Sequence, residues 1–125
     1  MNMSLAFYKV IHLFGIALLF TGVGGLCILS IAGSDSPKAR RLSSILHGLA
    51  LVIVLVTGFG LLAKLGMGAA IPLWLWLKIA IWMVLGAAIV VIKRAPLYAS
   101  ALLFALPALG AIAGYLAIYK LGSGG

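Results

Sequence analysis

Four apolar runs divide this chain, each near the length that a helix needs to cross a bilayer. About 20 helical residues span a hydrocarbon layer of roughly 30 Å. The runs cover approximately 7–31, 42–62, 73–92 and 97–118. Apolar residues make up 66% of the chain and charged residues 8%, with a mean hydropathy of +1.33, a balance that a water-soluble domain cannot expose without aggregating. The expectation is therefore all-α: an integral membrane four-helix bundle, a single transmembrane domain over 1–125, with antiparallel up-and-down topology and short loops. The first run continues too far, and lacks the charged start and cleavage site, to read as a signal peptide.

Punctuation between the runs follows helix rules. Pro37, Pro72 and Pro96 fall where first helical positions are expected, Gly33 and Gly66 follow the preceding runs, and Ser36 is placed to cap the second helix. Pro107 lies inside the fourth run and frees a carbonyl there. The Ser-Gly tail from Gly122 reads as flexible.

Nine Lys or Arg stand against one acid, Asp35, for a formal charge of +8. These cations flank the apolar runs and form no basic face with interleaved aromatics, so they mark topology and no nucleic acid is expected as a partner. Lys38, Arg40, Arg41, Lys93 and Arg94 fall at loops one and three, and Lys9, Lys64 and Lys120 at the opposite face. The excess places loops one and three in the cytoplasm and both termini outside it. Trp74, Trp76, Tyr8, Tyr115 and Tyr119 near the other face suggest an interfacial aromatic belt. The lone Cys27 has no intramolecular disulfide partner and reads as a small hydrophobe.

Ionisable groups inside the runs carry the functional information, because each is costly in lipid. They are His12, His47 and Lys78. His12 and Lys78 lie within roughly 10 Å of the same face at about 1.5 Å of rise per residue. His47 enters from the opposite face, about 15 Å away in depth, and reads as a hydrogen-bonded packing residue, although the face it shares with Val54, Gly58 and Leu61 would permit a second site nearer the cytoplasm. Along helix one His12, Gly15, Leu19, Gly22 and Leu26 share a face, leaving a small-residue groove in which a planar ligand has room. Trp74, Lys78 and Trp82 form a stripe at four-residue spacing on helix three. Lys78 either snorkels to the headgroups or faces a ligand. His12 either bonds a carbonyl or water, or ligates a haem iron through one nitrogen while the other is oriented by an acceptor. Tyr8, Lys9, Lys78 and the helix-four tyrosines are candidates for the propionates of such a haem. Gly110 and Gly114 form a GxxxG that serves packing within the bundle, a homo-oligomer or a larger membrane complex.

No CxxCH is present, which excludes covalent haem attachment, and there is no HExxH, no P-loop and no glutamate anywhere in the chain. Proton-coupled export through a buried glutamate, di-metal carboxylate chemistry and an acidic channel ring are thereby set aside.

Tyr8-Lys9-Val10-Ile11-His12, Arg40-Arg41-Leu42, Thr57-Gly58 and Trp76-Leu77-Lys78, in that order, resemble the HemJ-type protoporphyrinogen oxidases and, more loosely, the copper-resistance D and SirB membrane proteins. Gly24-Gly25-Leu26-Cys27 stands where that family carries Arg-Leu-Phe, and the histidines usual on its third helix are missing. The resemblance implies a bacterial inner-membrane oxidoreductase with haem b as cofactor. It also implies His12 as metal ligand and His12 with Lys78 as the catalytic pair. The groove adds Gly15 and Gly22 to Tyr8, Lys9 and Lys78 as cofactor contacts. The competing expectation is a non-catalytic accessory subunit of a respiratory or photosynthetic membrane complex.

Overall fold

The structure is a computed structural model and describes residues 4–64 and 73–119. Four α-helices are present: α1 Leu5–Ile31, α2 Pro37–Lys64, α3 Leu73–Arg94 and α4 Ala99–Tyr119, with a 3-10 turn Pro96–Tyr98 leading into α4. Each is long and apolar enough to cross a membrane, and the described residues contain no strand. Gly66, Pro72, Lys120 and the tail from Gly122 lie outside the described residues.

Helix ends differ from the apolar runs because apolar character ends before helicity does. α2 starts at Pro37 and carries Lys38, Arg40 and Arg41 within its first turns, and α3 continues through Lys93 and Arg94. Pro96 opens the 3-10 turn, where its missing N–H leaves no vacancy, and the α-helix begins only at Ala99. α4 runs on through Pro107.

The α1–α2 turn is specified residue by residue. Gly33, with φ of 65°, supplies the left-handed position after α1. Its N–H bonds the Ser30 carbonyl at 3.2 Å and the Ser34 N–H bonds the Leu29 carbonyl at 3.0 Å, the two crossed bonds of a Schellman motif. Ser36 Oγ then accepts from the Ala39 N–H at 3.3 Å, capping α2 as expected. Arg40 closes the turn by donating from Nε and a terminal nitrogen to the Ser34 carbonyl, at 3.1 and 2.8 Å. One loop cation is thus a structural clamp, whatever it does for topology.

α1 and α2 then pack along their whole length at very short range. A Cβ on Gly22 would meet the His47 backbone N at 2.7 Å and the Ser43 carbonyl at 2.9 Å, and a Cβ on Gly15 would meet Ile53 Cγ2 at 2.7 Å. Tyr8 lies against Gly60 at the far end of the same pair. The groove expected below His12 is therefore filled by α2. The small residues admit a helix there, as they do in close-packed membrane pairs.

α3 runs parallel to α1 and α4 antiparallel to it, which is the up-and-down order. Trp82 Nε1 donates to the Leu51 carbonyl at 3.1 Å, tying α3 to α2, and Phe20 of α1 lies over Gly110 of α4 at a 2.7 Å approach to its absent Cβ. The buried core, built on Leu19, Leu26, Leu85, Ala88, Ile92 and Leu106, gathers in the half of the bundle nearer the α1–α2 turn. The α2 and α4 backbones stay apart, with no pair of Cα atoms within 8 Å among the described residues. Trp74 is buried instead of standing in an aromatic belt, because it shares the inward stripe with Lys78 and Trp82, while Trp76 is exposed.

Since the Gly22 contact is with backbone, a side chain there cannot be absorbed by a rotamer change. Gly22→Leu should lower the unfolding midpoint in detergent sharply, with a loss of about 2–3 kcal/mol. Gly48, where nothing lies within 4 Å, is the control: Gly48→Ala should be neutral or slightly stabilising. Equal effects at the two positions would contradict the packing described.

Candidate functional site

Away from the core, in the half of the bundle that holds the start of α1, the four helices separate around a cavity of about 230 Å³. Apolar side chains make nearly all of its wall, with Phe20, Phe59 and Trp82 as rings and Gly110 and Gly114 giving width on the α4 side. Its polar members are His12 from α1, Lys78 from α3 and Trp82, whose N–H is already given to Leu51. The structure thus brings His12 and Lys78 together on one cavity, as their common depth suggested.

His12 is oriented by α2. Its Nδ1 lies 2.7 Å from Thr57 Oγ1, and that hydroxyl lies 2.6 Å from the Ile53 carbonyl and 3.3 Å from the Val54 carbonyl. A threonine hydroxyl has one hydrogen, and a helical threonine commonly gives it to a carbonyl one turn back. Thr57 then accepts from Nδ1–H, which fixes the proton on Nδ1 and leaves the Nε2 lone pair available to a proton or a metal. This assignment comes from the hydrogen-bond network.

Lys78 is half-buried at the same cavity. The only acidic residue, Asp35, sits in the α1–α2 turn at the other end of the bundle, so no acidic side chain of this chain neutralises the ammonium. An unpaired cation in a low-dielectric wall favours an anionic group on whatever enters.

Other expected site residues stand elsewhere. Lys9 is exposed, Tyr8 packs over Gly60, and Gly15 and Gly22 are buried in the α1–α2 seam; none of the four lines the cavity. Tyr115 is exposed outside it. His47 is buried at 2% exposure against the backbone of Leu19, Leu85 and Gly86, as a packing residue should be, though neither ring nitrogen reaches a well-formed hydrogen bond among the described residues. Cys27 is buried, as a small hydrophobe should be. No group of three or more His, Cys, Asp or Glu that could hold a metal occurs among the described residues.

Sequence reasoning did not assign Thr57 its place beneath the imidazole, although the signal was present. His12 faces Thr57, Gly15 faces Val54 and Gly22 faces His47, and in each pair the two residue numbers have the same sum. That is the register of an antiparallel hairpin centred on the turn around Ser34. Locating the turn would have located the partner.

An iron porphyrin can be tested against these residues. The donor set fits: one imidazole with its outer nitrogen oriented, apolar walls with ring faces, and one cation for a carboxylate. The cavity exceeds the roughly 150 Å³ that admits benzene yet is smaller than a porphyrin, so loading has to widen the bundle. No protein family, no curated protein and no solved structure matches the chain.

Replacing the acceptor should free the ring. In Thr57→Val, the imidazole 15N spectrum of His12 should change from one Nδ1–H tautomer to a mixture, with a stability loss of about 1 kcal/mol. An unchanged tautomer would show that Thr57 does not set it.

Proposed function

We propose that this chain is a haem-binding redox protein of the bacterial inner membrane, with loops one and three in the cytoplasm, acting on a porphyrinogen-like substrate in the manner of the HemJ-type oxidases it resembles. The observation that carries the proposal is the His12–Thr57 pair: a part-buried imidazole, hydrogen-bonded through Nδ1, lining an apolar cavity that Lys78 also lines. A merely structural histidine needs no such cavity.

In this reading Nε2 of His12 would hold the iron of haem b, which when bound would supply one-electron chemistry at the cavity. The chain's own residues do the rest. Thr57 holds the ring and raises its basicity by accepting from Nδ1–H. Lys78 binds a carboxylate, whether of the cofactor or of the substrate, and so sets which edge enters. Phe20, Phe59 and Trp82 exclude water and offer faces to a flat ligand. Widening for a porphyrin would come on the side between α2 and α4, the two helices whose backbones do not approach each other. Lys9 and Tyr8, turned away from the cavity, serve the membrane interface and the helix seam in this arrangement.

A second reading is a structural subunit of a larger membrane assembly. It is favoured by Gly48, which leaves a flat spot on the exposed face of α2, among Ile45, Leu49 and Val52.

The visible spectrum separates the two. Protein purified in mild detergent from haem-supplied cells should show a Soret band, His12→Ala should abolish it, and His47→Ala should leave it in place. Lys78→Met should retain the band but weaken retention of haem by about tenfold or more, the scale of one charge-assisted contact. A colourless wild-type protein that co-purifies with stoichiometric partners would overturn the haem reading and support the structural one.

A further inference from the structure

His47 is the least explained residue in the bundle. It sits in the half of α2 nearer the α1–α2 turn, 2% exposed, wedged between Gly22 of α1 and the backbone of Leu85 and Gly86 on α3. The backbone of Leu19, Leu85 and Gly86 lies against the ring, yet neither Nδ1 nor Nε2 is aligned with it for a well-formed hydrogen bond among the described residues. A buried ring with both nitrogens unpaired is expensive, and such groups in native proteins are generally satisfied by water or used in chemistry.

Its surroundings point to water. One turn toward the α1–α2 turn, Ser43 lies on the same face of α2, with its Oγ over Gly25 of α1 and no hydrogen bond of its own among the described residues. Below Ser43 the same face carries Arg40 and Ser36, the residues that clamp and cap the turn. Ser36, Arg40, Ser43 and His47 recur at alternating spacings of four and three, the seam of a helix packed on a partner. This seam is polar from the membrane surface to the imidazole. On its inner side His47 meets Leu19 and Leu85, and both of these line the cavity that holds His12 and Lys78.

We propose that His47 is a proton relay between the cavity floor and the surface at the α1–α2 turn, through water bound between its ring and the Ser43 hydroxyl. In one passage a proton adds to one ring nitrogen while the proton on the other departs, so the ring is neutral before and after and only its tautomer has changed. What the relay serves rests on the redox reading, since oxidation of a porphyrinogen, its electrons passing to the haem, releases protons that must leave an apolar cavity. The relay itself makes a demand that no packing role makes: the buried imidazole N–H has to exchange with bulk water.

That exchange is measured on the haem-free protein. With 15N-histidine label in lipid nanodiscs, the His47 N–H of the wild type should exchange with water too fast to survive transfer to D₂O. Ser43→Ala, with helical content checked by circular dichroism, should slow it by about tenfold or more. A His47 N–H that persists for hours in D₂O in the wild type would overturn the proposal, and so would equal exchange in wild type and Ser43→Ala. Because no haem is involved, the result stands apart from the Soret experiment, and either reading can fail alone.

Discussion

Everything in this bundle depends on the approach of α1 to α2 at Gly22, where two backbones come so close that a methyl group would touch the His47 amide nitrogen. In lipid there is no hydrophobic gain from bringing apolar helices together, so contact of this kind has to come from shape and dispersion. Glycine supplies the shape, and the Schellman turn and the Arg40 clamp supply the alignment. Once the two helices are fixed, their facing residues are fixed with them. His12 lands on Thr57 because Gly22 lands on His47.

The second pair is held differently. α3 and α4 lean on this hairpin through single large side chains, Trp82 bonded to the Leu51 carbonyl and Phe20 seated over Gly110. Aliphatic packing around Leu26 and Ile92 closes the bundle at the turn end, while at the other end rings and glycines prop it open. A tight hairpin and a looser one are thus joined around a space, and the two ionisable groups at the rim of that space come one from each hairpin.

Much of this was legible in the sequence, and what was not has a physical explanation. Helix number and position followed from the length of the apolar runs, and the cap at Ser36 and the left-handed Gly33 from turn chemistry. Depth along the membrane put His12 and Lys78 together and His47 apart, because rise per residue is a one-dimensional quantity that a sequence carries. Rotation about each helix axis was harder. The small stripe of Gly15 and Gly22 was visible, but whether a ligand or a helix fills such a stripe depends on the neighbour, and here it is α2. Trp74 likewise had the composition of an interfacial residue and the azimuth of a buried one. The bonding state of His47 could not be read at all, since it depends on three helices converging.

The hairpin register also makes the chain a ruler. Each residue turns an α-helix by about 100° and advances it by about 1.5 Å, so one residue gained or lost between positions 12 and 22, or between 47 and 57, would swing His12 away from Thr57 even if every side chain were kept. A change of seven residues on both arms would restore the facing pairs but carry the cavity to a different depth in the membrane. The spacing between the glycine crossing and the imidazole therefore carries information that no single residue does. Two chains could share these side chains and differ in function through the lengths between them.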